Sequence, residues 1–202
     1  MKEIHKYIGL LMLLPFIAWA VTGVFFFIKP GYSDAYQSLP VKLYPLNKTI
    51  NLPDENQWLE VRQLRSVLGD HLLVKTAEGW QQLSPQTFIE LKQPTTEQVR
   101  QLVNDAINDK HNRYGEIASI ADLAITTSTE VRINLNWQQM TLRQQGKDTD
   151  FINSVYDIHY LRWTGIKMVD QVLGMLGLFF VVLLAAIGTV MTIKSKRNSK
   201  QI

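Results

Sequence analysis

Two apolar blocks frame this chain, and between them the pattern becomes that of an ordinary water-soluble domain. The blocks, residues 7–28 and 172–193, contain no charged residue. Each has the roughly 20 residues that a helix needs to cross a bilayer, so both read as transmembrane helices. A cleaved signal peptide is the competing reading of the first, because Ala18-Trp19-Ala20 offers a small-x-small cut after a basic start. The apolar run is longer than the about 7–15 residues of a signal core and continues through "VTGVFFFI" without a polar break. An uncleaved anchor is the expectation.

The intervening segment opens with the Pro- and Gly-containing "PGYSDAYQSLPVKLYPLNK", which suits an extended lead-in. Pro53 and Asp54 then precede "ENQWLEVRQLRSVLG". There Trp58, Val61, Leu64, Val67 and Leu68 recur at helical spacing before Gly69, which predicts a helix. Strand-like runs follow in "HLLVK", "WQQL" and "TFIEL", with a turn at Ala77-Glu78-Gly79. The pattern restarts at Thr95, which with Gln98 forms a capping box for "TEQVRQLVNDAIND". Val99, Leu102, Val103 and Ile107 line one face of that helix. Further strand signals lie in "IADLAITT", "EVRINLNW" and "QMTLRQQ", with Val131, Ile133 and Leu135 alternating against polar neighbours.

"VRQL" occurs twice, at 61–64 and 99–102, each time in the first predicted helix of its unit. Single and duplicated units both remain open on this pattern. The fold class expected is α+β: two transmembrane helices flanking an extracytoplasmic domain, 29–146, of helix plus antiparallel sheet. Residues 147–171 read as an amphipathic lead-in helix, capped by Asp148 or Thr149 and running continuously into the second span. Asp170 and Gln171 stand closest to the apolar run, where a carboxylate needs a headgroup-level position or a partner such as Lys167.

Charge sets the orientation. Lys2 and Lys6 precede the first span, and Lys194, Lys196, Arg197 and Lys200 follow the second. By the positive-inside rule residues 1–6 and 194–202 are cytoplasmic and the central domain lies outside, in the cell inner membrane. The net charge of +3 belongs to these flanks and gives no reason to expect nucleic acid. The absence of cysteine excludes disulfides, thiolate metal sites, iron–sulfur clusters and covalent c-type haem attachment. No phosphate loop, nucleophile elbow or His-Glu-x-x-His motif occurs.

The ends of the chain carry a further pattern. His5, Gly9, Thr22 and Gly23 punctuate the first span; His159, Gly165, Gly174, Gly177 and Gly188, then "KSKR", punctuate the closing segment. In these residues the chain resembles the PepSY-associated transmembrane helix family, as a compact two-span member. The resemblance implies a small helix-plus-sheet PepSY module between the spans. It also implies two functional readings. Some relatives resemble iron-uptake membrane proteins that bind haem b and reduce ferric siderophores, and His5 and His159 would then be axial haem ligands. Other relatives resemble peptidase propeptides and point to a binding or regulatory role toward an envelope protein partner.

The two histidines lie on opposite membrane faces, about 30 Å apart along a helix. They cannot share one haem, so a second copy or a partner must complete each site. His159 precedes the apolar run and is expected above the hydrocarbon, among interfacial residues such as Tyr160 and Trp163. For these reasons the leading expectation is a membrane-anchored binding or regulatory module, with haem-linked electron transfer as the alternative. His71 and His111 are expected at the surface. Gly9, Gly23, Gly174, Gly177 and Gly188 are expected to let the spans pack closely, on each other or in a homodimer within the lipid bilayer.

Overall fold

A computed structural model of the chain describes residues 2–46, 50–53 and 58–199, the last five by backbone alone. In chain order it begins with α1 (Lys2–Ile28), a single turn α2 (Tyr32–Ala35), and strands β1 (Glu60–Ser66), β2 (Gly69–Thr76) and β3 (Gly79–Leu83). There follow α3 (Thr96–Ile107), the one-turn α4 (His111–Tyr114), and strands β4 (Ile117–Ala121), β5 (Ala124–Thr127), β6 (Arg132–Asn136) and β7 (Thr141–Gln145). Helices α5 (Lys147–His159) and α6 (Lys167–Ser199) close the chain. Two compact units result: Met1–Gly31 with Asp150–Ile202, and Tyr32–Thr149.

In the terminal unit α1 and α6 are each long and apolar enough to cross a membrane, and little of either is buried by protein. They pack on each other where α6 has no side chain. A Cβ on Gly177 would lie 3.0 Å from Leu161 Cδ1 and 3.6 Å from the Trp19 ring. A Cβ on Gly188 would lie 3.3 Å from His5 Nε2. Glycine is what allows these approaches. Gly174 is more relaxed, its Cβ position 3.9 Å from the Tyr160 carbonyl oxygen, and Gly9 and Gly23 face open space.

The lead-in helix does not run continuously into the second span, which corrects that expectation. It stops at His159. Leu161 takes a left-handed backbone (φ 55°), its N–H bonds to the Ile158 carbonyl, and the Arg162 N–H reaches back to Asp157. This pairing is a Schellman stop, a motif whose left-handed position usually belongs to glycine. Gly165 (φ 71°) turns the chain again before α6.

The central unit carries two antiparallel sheets, β1-β2-β3 and β4-β5-β6-β7, around α3. The capping box forms as expected: Gln98 N–H bonds to Thr95 Oγ1, and Gln98 Oε1 accepts from the Thr95 N–H. Val99, Leu102, Val103 and Ile107 are buried in a core shared with Leu73, Tyr114, Ile125, Ile133, Leu135 and Trp137. Leu72, Val74 and Leu83 form a smaller cluster on the other face of the first sheet, beneath Ile50, Trp58, Val61 and Phe88.

The helix expected over 55–69 is instead strand β1, followed by a two-residue turn into β2; Asp54 and residues 55–57 lie outside the described residues. The cause is a sheet covered on both faces. Val61 packs into the smaller cluster and Leu64 against the larger core. Residues an odd number apart point to opposite faces of a strand, so two-sided burial imitates the spacing of a helix. The repeated "VRQL" is therefore a strand in its first occurrence and a helix in its second, and the helix-then-strands duplication does not hold. "TFIEL" contributes only an isolated bridge, Leu83 to Glu90.

Candidate functional site

The best-formed polar constellation in the terminal unit surrounds His159. Thr22 is buried in α1 and its hydroxyl lies 2.8 Å from His159 Nδ1. Trp19 Nε1 donates to the His159 carbonyl oxygen at 2.7 Å, and the Phe26 ring meets the imidazole edge-on at 5.0 Å. Phe25 on Phe151 and Phe26 on Tyr156 continue the contact of α5 with α1. Trp19, His159, Tyr160, Leu161, Gly174 and Leu178 line a mostly apolar cavity of about 460 Å³.

The partner of His159, Thr22, lies about 9 Å inside the C-terminal end of α1, at about 1.5 Å per residue. The imidazole therefore sits alongside the span. His5 contacts Gly188 at the opposite end, about 25 Å from Thr22 along α1. The structure does not bring His5 and His159 together.

The polar mouth of α6 is internally paired. Asp170 is buried, and its carboxylate accepts from Thr164 N–H at 3.1 Å and from Thr164 Oγ1 at 2.7 Å. Thr164 thus takes the role expected of Lys167. Asp157 pairs with Arg162 at 3.1 Å, and Arg162 lies over the Tyr160 ring. Asp157 makes its pair there and leaves His159 to Thr22.

In the central unit His111 is exposed, as expected, but His71 is not. His71 is 3% exposed on β2, with Nε2 2.7 Å from Ser66 Oγ and Nδ1 3.0 Å from the Gln82 amide nitrogen. Desolvation pushes its pKa down to about 4, against a weaker upward pull from Asp70. The imidazole is a neutral core group with both nitrogens engaged. The same unit holds a polar groove of about 670 Å³, lined by Asp34, Asp109, Lys110, Arg113, Lys147 and Asp148 among others. Arg113 Nη1 donates to Asp148 at 2.8 Å and Nη2 to Gln144 Oε1 at 2.8 Å. That hydrogen bond from Arg113, opposed by burial and aided by Thr149, holds the Asp148 pKa below its ordinary value. Burial is the largest single influence on the Arg113 guanidinium and opposes its charge, but the bond to Asp148, that carboxylate's charge and Tyr114 together raise its pKa.

No group of three or more His, Cys, Asp or Glu side chains converges to hold a metal ion among the described residues. A single imidazole beside an apolar cavity, in a chain without cysteine, is nevertheless a donor of the type that would hold a b-type haem. Within the terminal unit the other histidine, His5, lies at the far end of α1, so that unit offers no second imidazole near His159. Sequence reasoning found His159 and Thr22 as motif positions but missed their contact and the part played by Trp19.

Two apolar spans enclosing an α+β module define a membrane protein of two-span, module-bearing type. Residues 2–201 match the PepSY-associated TM region, and the chain belongs to that family. No curated protein and no solved structure matches it.

Proposed function

We propose that this protein is a b-type haem-binding, electron-transfer component of the cell envelope. In this reading it sits in the inner membrane with both termini cytoplasmic and the PepSY-like module outside. The observation that carries the reading is His159, held against the buried Thr22 of α1 and lining an apolar cavity. A haem there would supply a one-electron couple between ferric and ferrous iron. His159 would provide one nitrogen to hold it, and His159 of a second copy of the chain another. Apolar side chains on both spans, and the open positions at Gly9 and Gly23, leave surface for such a copy within the bilayer. Reduction of a ferric siderophore is the use that the family resemblance suggests.

The test is haem content and absorption of the full chain, purified after expression with ample haem supply. A Soret band that shifts on dithionite reduction and is lost in His159→Ala is expected. Folded wild-type protein without haem would end the reading. A cytoplasm-only fluorescent reporter fused to the C-terminus should glow, and a dark but well-expressed fusion would reverse the orientation.

The polar groove of the central unit favours a second reading, a regulatory module that binds an extended segment of an envelope protein. Its charges of both signs suit a polar peptide more than a lipid or a haem. Haem-free, folded wild-type protein that captures such a peptide, and loses it on Lys147→Glu, would favour this alternative.

A further inference from the structure

Resting on the haem reading of His159, we infer that Thr22 is a positioning residue that fixes which nitrogen His159 presents. Thr22 Oγ1 lies 2.6 Å from the Ala18 carbonyl oxygen, 3.3 Å from the Trp19 carbonyl oxygen and 2.8 Å from His159 Nδ1. A hydroxyl has one proton and two lone pairs. An oxygen–oxygen approach of 2.6 Å without a hydrogen between them is repulsive, so the proton belongs to the Ala18 carbonyl. Towards His159 the hydroxyl can then only accept, which puts the imidazole proton on Nδ1 and leaves the Nε2 lone pair unprotonated.

The ring cannot easily escape this arrangement. Trp19 anchors the His159 carbonyl, the Phe26 ring meets the imidazole at a near right angle, and the helix stops at His159. Thr22 itself is 5% exposed, so water competes poorly for its oxygen. The outcome is an imidazole whose orientation and tautomer are both set before any ligand arrives. That is the arrangement a metal-binding histidine requires, with one nitrogen donating to a fixed acceptor and the other free to bind.

The experiment is nitrogen-15 NMR of histidine-labelled full chain in bilayers, haem-free and then haem-loaded, with His159→Gln to identify the His159 signals. The haem-free wild type should show His159 protonated at Nδ1 with an unprotonated Nε2. Thr22→Val, nearly isosteric but unable to accept, should shift it to a mixture dominated by the Nε2-protonated form that imidazole prefers in water. Thr22→Ser should restore the wild-type pattern. In the loaded protein Thr22→Val should weaken haem retention about 10–100-fold and Thr22→Ser far less. A wild-type His159 protonated at Nε2, or a tautomer unmoved by Thr22→Val, would overturn the inference. If Thr22→Val fails to fold, the wild-type tautomer alone decides it. Expected tautomers in a protein that takes up no haem would support the positioning claim while defeating the haem reading.

Discussion

His71 and His159 each meet a hydroxyl at hydrogen-bond distance, yet the two regions use the imidazole in opposite ways. In the central unit Ser66 takes one nitrogen of His71 and Gln82 the other, and Trp137 meets the ring in a T-shaped contact. Nothing is left over for a ligand. In the terminal unit Thr22 takes only Nδ1 of His159, and the residue lines a cavity. A fully satisfied imidazole serves the core, whereas a half-satisfied one beside open apolar space is available for chemistry. The difference lies in what surrounds the second nitrogen, which no sequence motif records.

Removing either histidine should separate the two roles most sharply. His71→Ala is expected to lower stability by about 3 kcal/mol, since it opens a cavity and strands buried polar partners. It should leave any haem content of the folded protein unchanged. His159→Ala should do the reverse, abolishing haem with little loss of stability. Chemical denaturation and haem assay of both variants check this, and equal effects on both properties would dissolve the distinction.

The pH response follows from the same contrast. His71 titrates near 4 when folded, against about 6.5 in an unfolded chain. The unfolded chain therefore binds more protons between these values, and stability must fall as pH drops through the window. The loss by pH 4 is up to about 3 kcal/mol, on the order of 1.4 kcal/mol per unit. Melting followed by circular dichroism from pH 7 to 4.5 should show the decline, and His71→Gln should flatten it.

Within the groove, Arg113→Ala leaves the Asp148 carboxylate without its principal donor. A loss of about 2 kcal/mol is expected. Arg113→Lys should recover part of it, because a lysine cannot bridge Asp148 and Gln144 together. Denaturant midpoints of the two variants decide the point, and indistinguishable values would remove the bridge from the account.

Smallest is the expected effect at the glycines. Gly177→Ala places a methyl 3.0 Å from Leu161 Cδ1, a flexible side-chain end that can give. Its cost should stay below about 1 kcal/mol, while Gly177→Leu should reach about 2 kcal/mol through overpacking. Gly23→Leu, facing open space, should leave the stability of a single copy unchanged. Should it instead abolish a dimer in detergent, that face would be the surface between copies.

Much of this architecture was legible in the residues because local signals agreed with the tertiary setting. The charge-free spans, the Thr95–Gln98 capping box and the alternation of Val131, Ile133 and Leu135 each have one physical cause and one reading. β1 was not legible, because burial of Val61 and Leu64 on opposite faces copies a helical spacing. The stop after His159 was hidden because a leucine occupies the left-handed position usually taken by glycine. His71 looked like a surface residue after Gly69-Asp70, since its partners Ser66 and Gln82 come together only through strand pairing. At the candidate site the motif revealed Thr22 and His159 separately. Their meeting depends on α5 turning alongside α1, which has no short-range signature.

Low-temperature electron paramagnetic resonance of the oxidised, haem-supplied full chain tests the central claim most directly. Ligation by His159 from two copies predicts a low-spin ferric signal typical of two imidazoles, present in wild type and in His71→Gln. His159→Ala should lose that signal, through loss of haem or conversion to high spin. A low-spin signal that persists unchanged in His159→Ala at full haem occupancy would contradict the account.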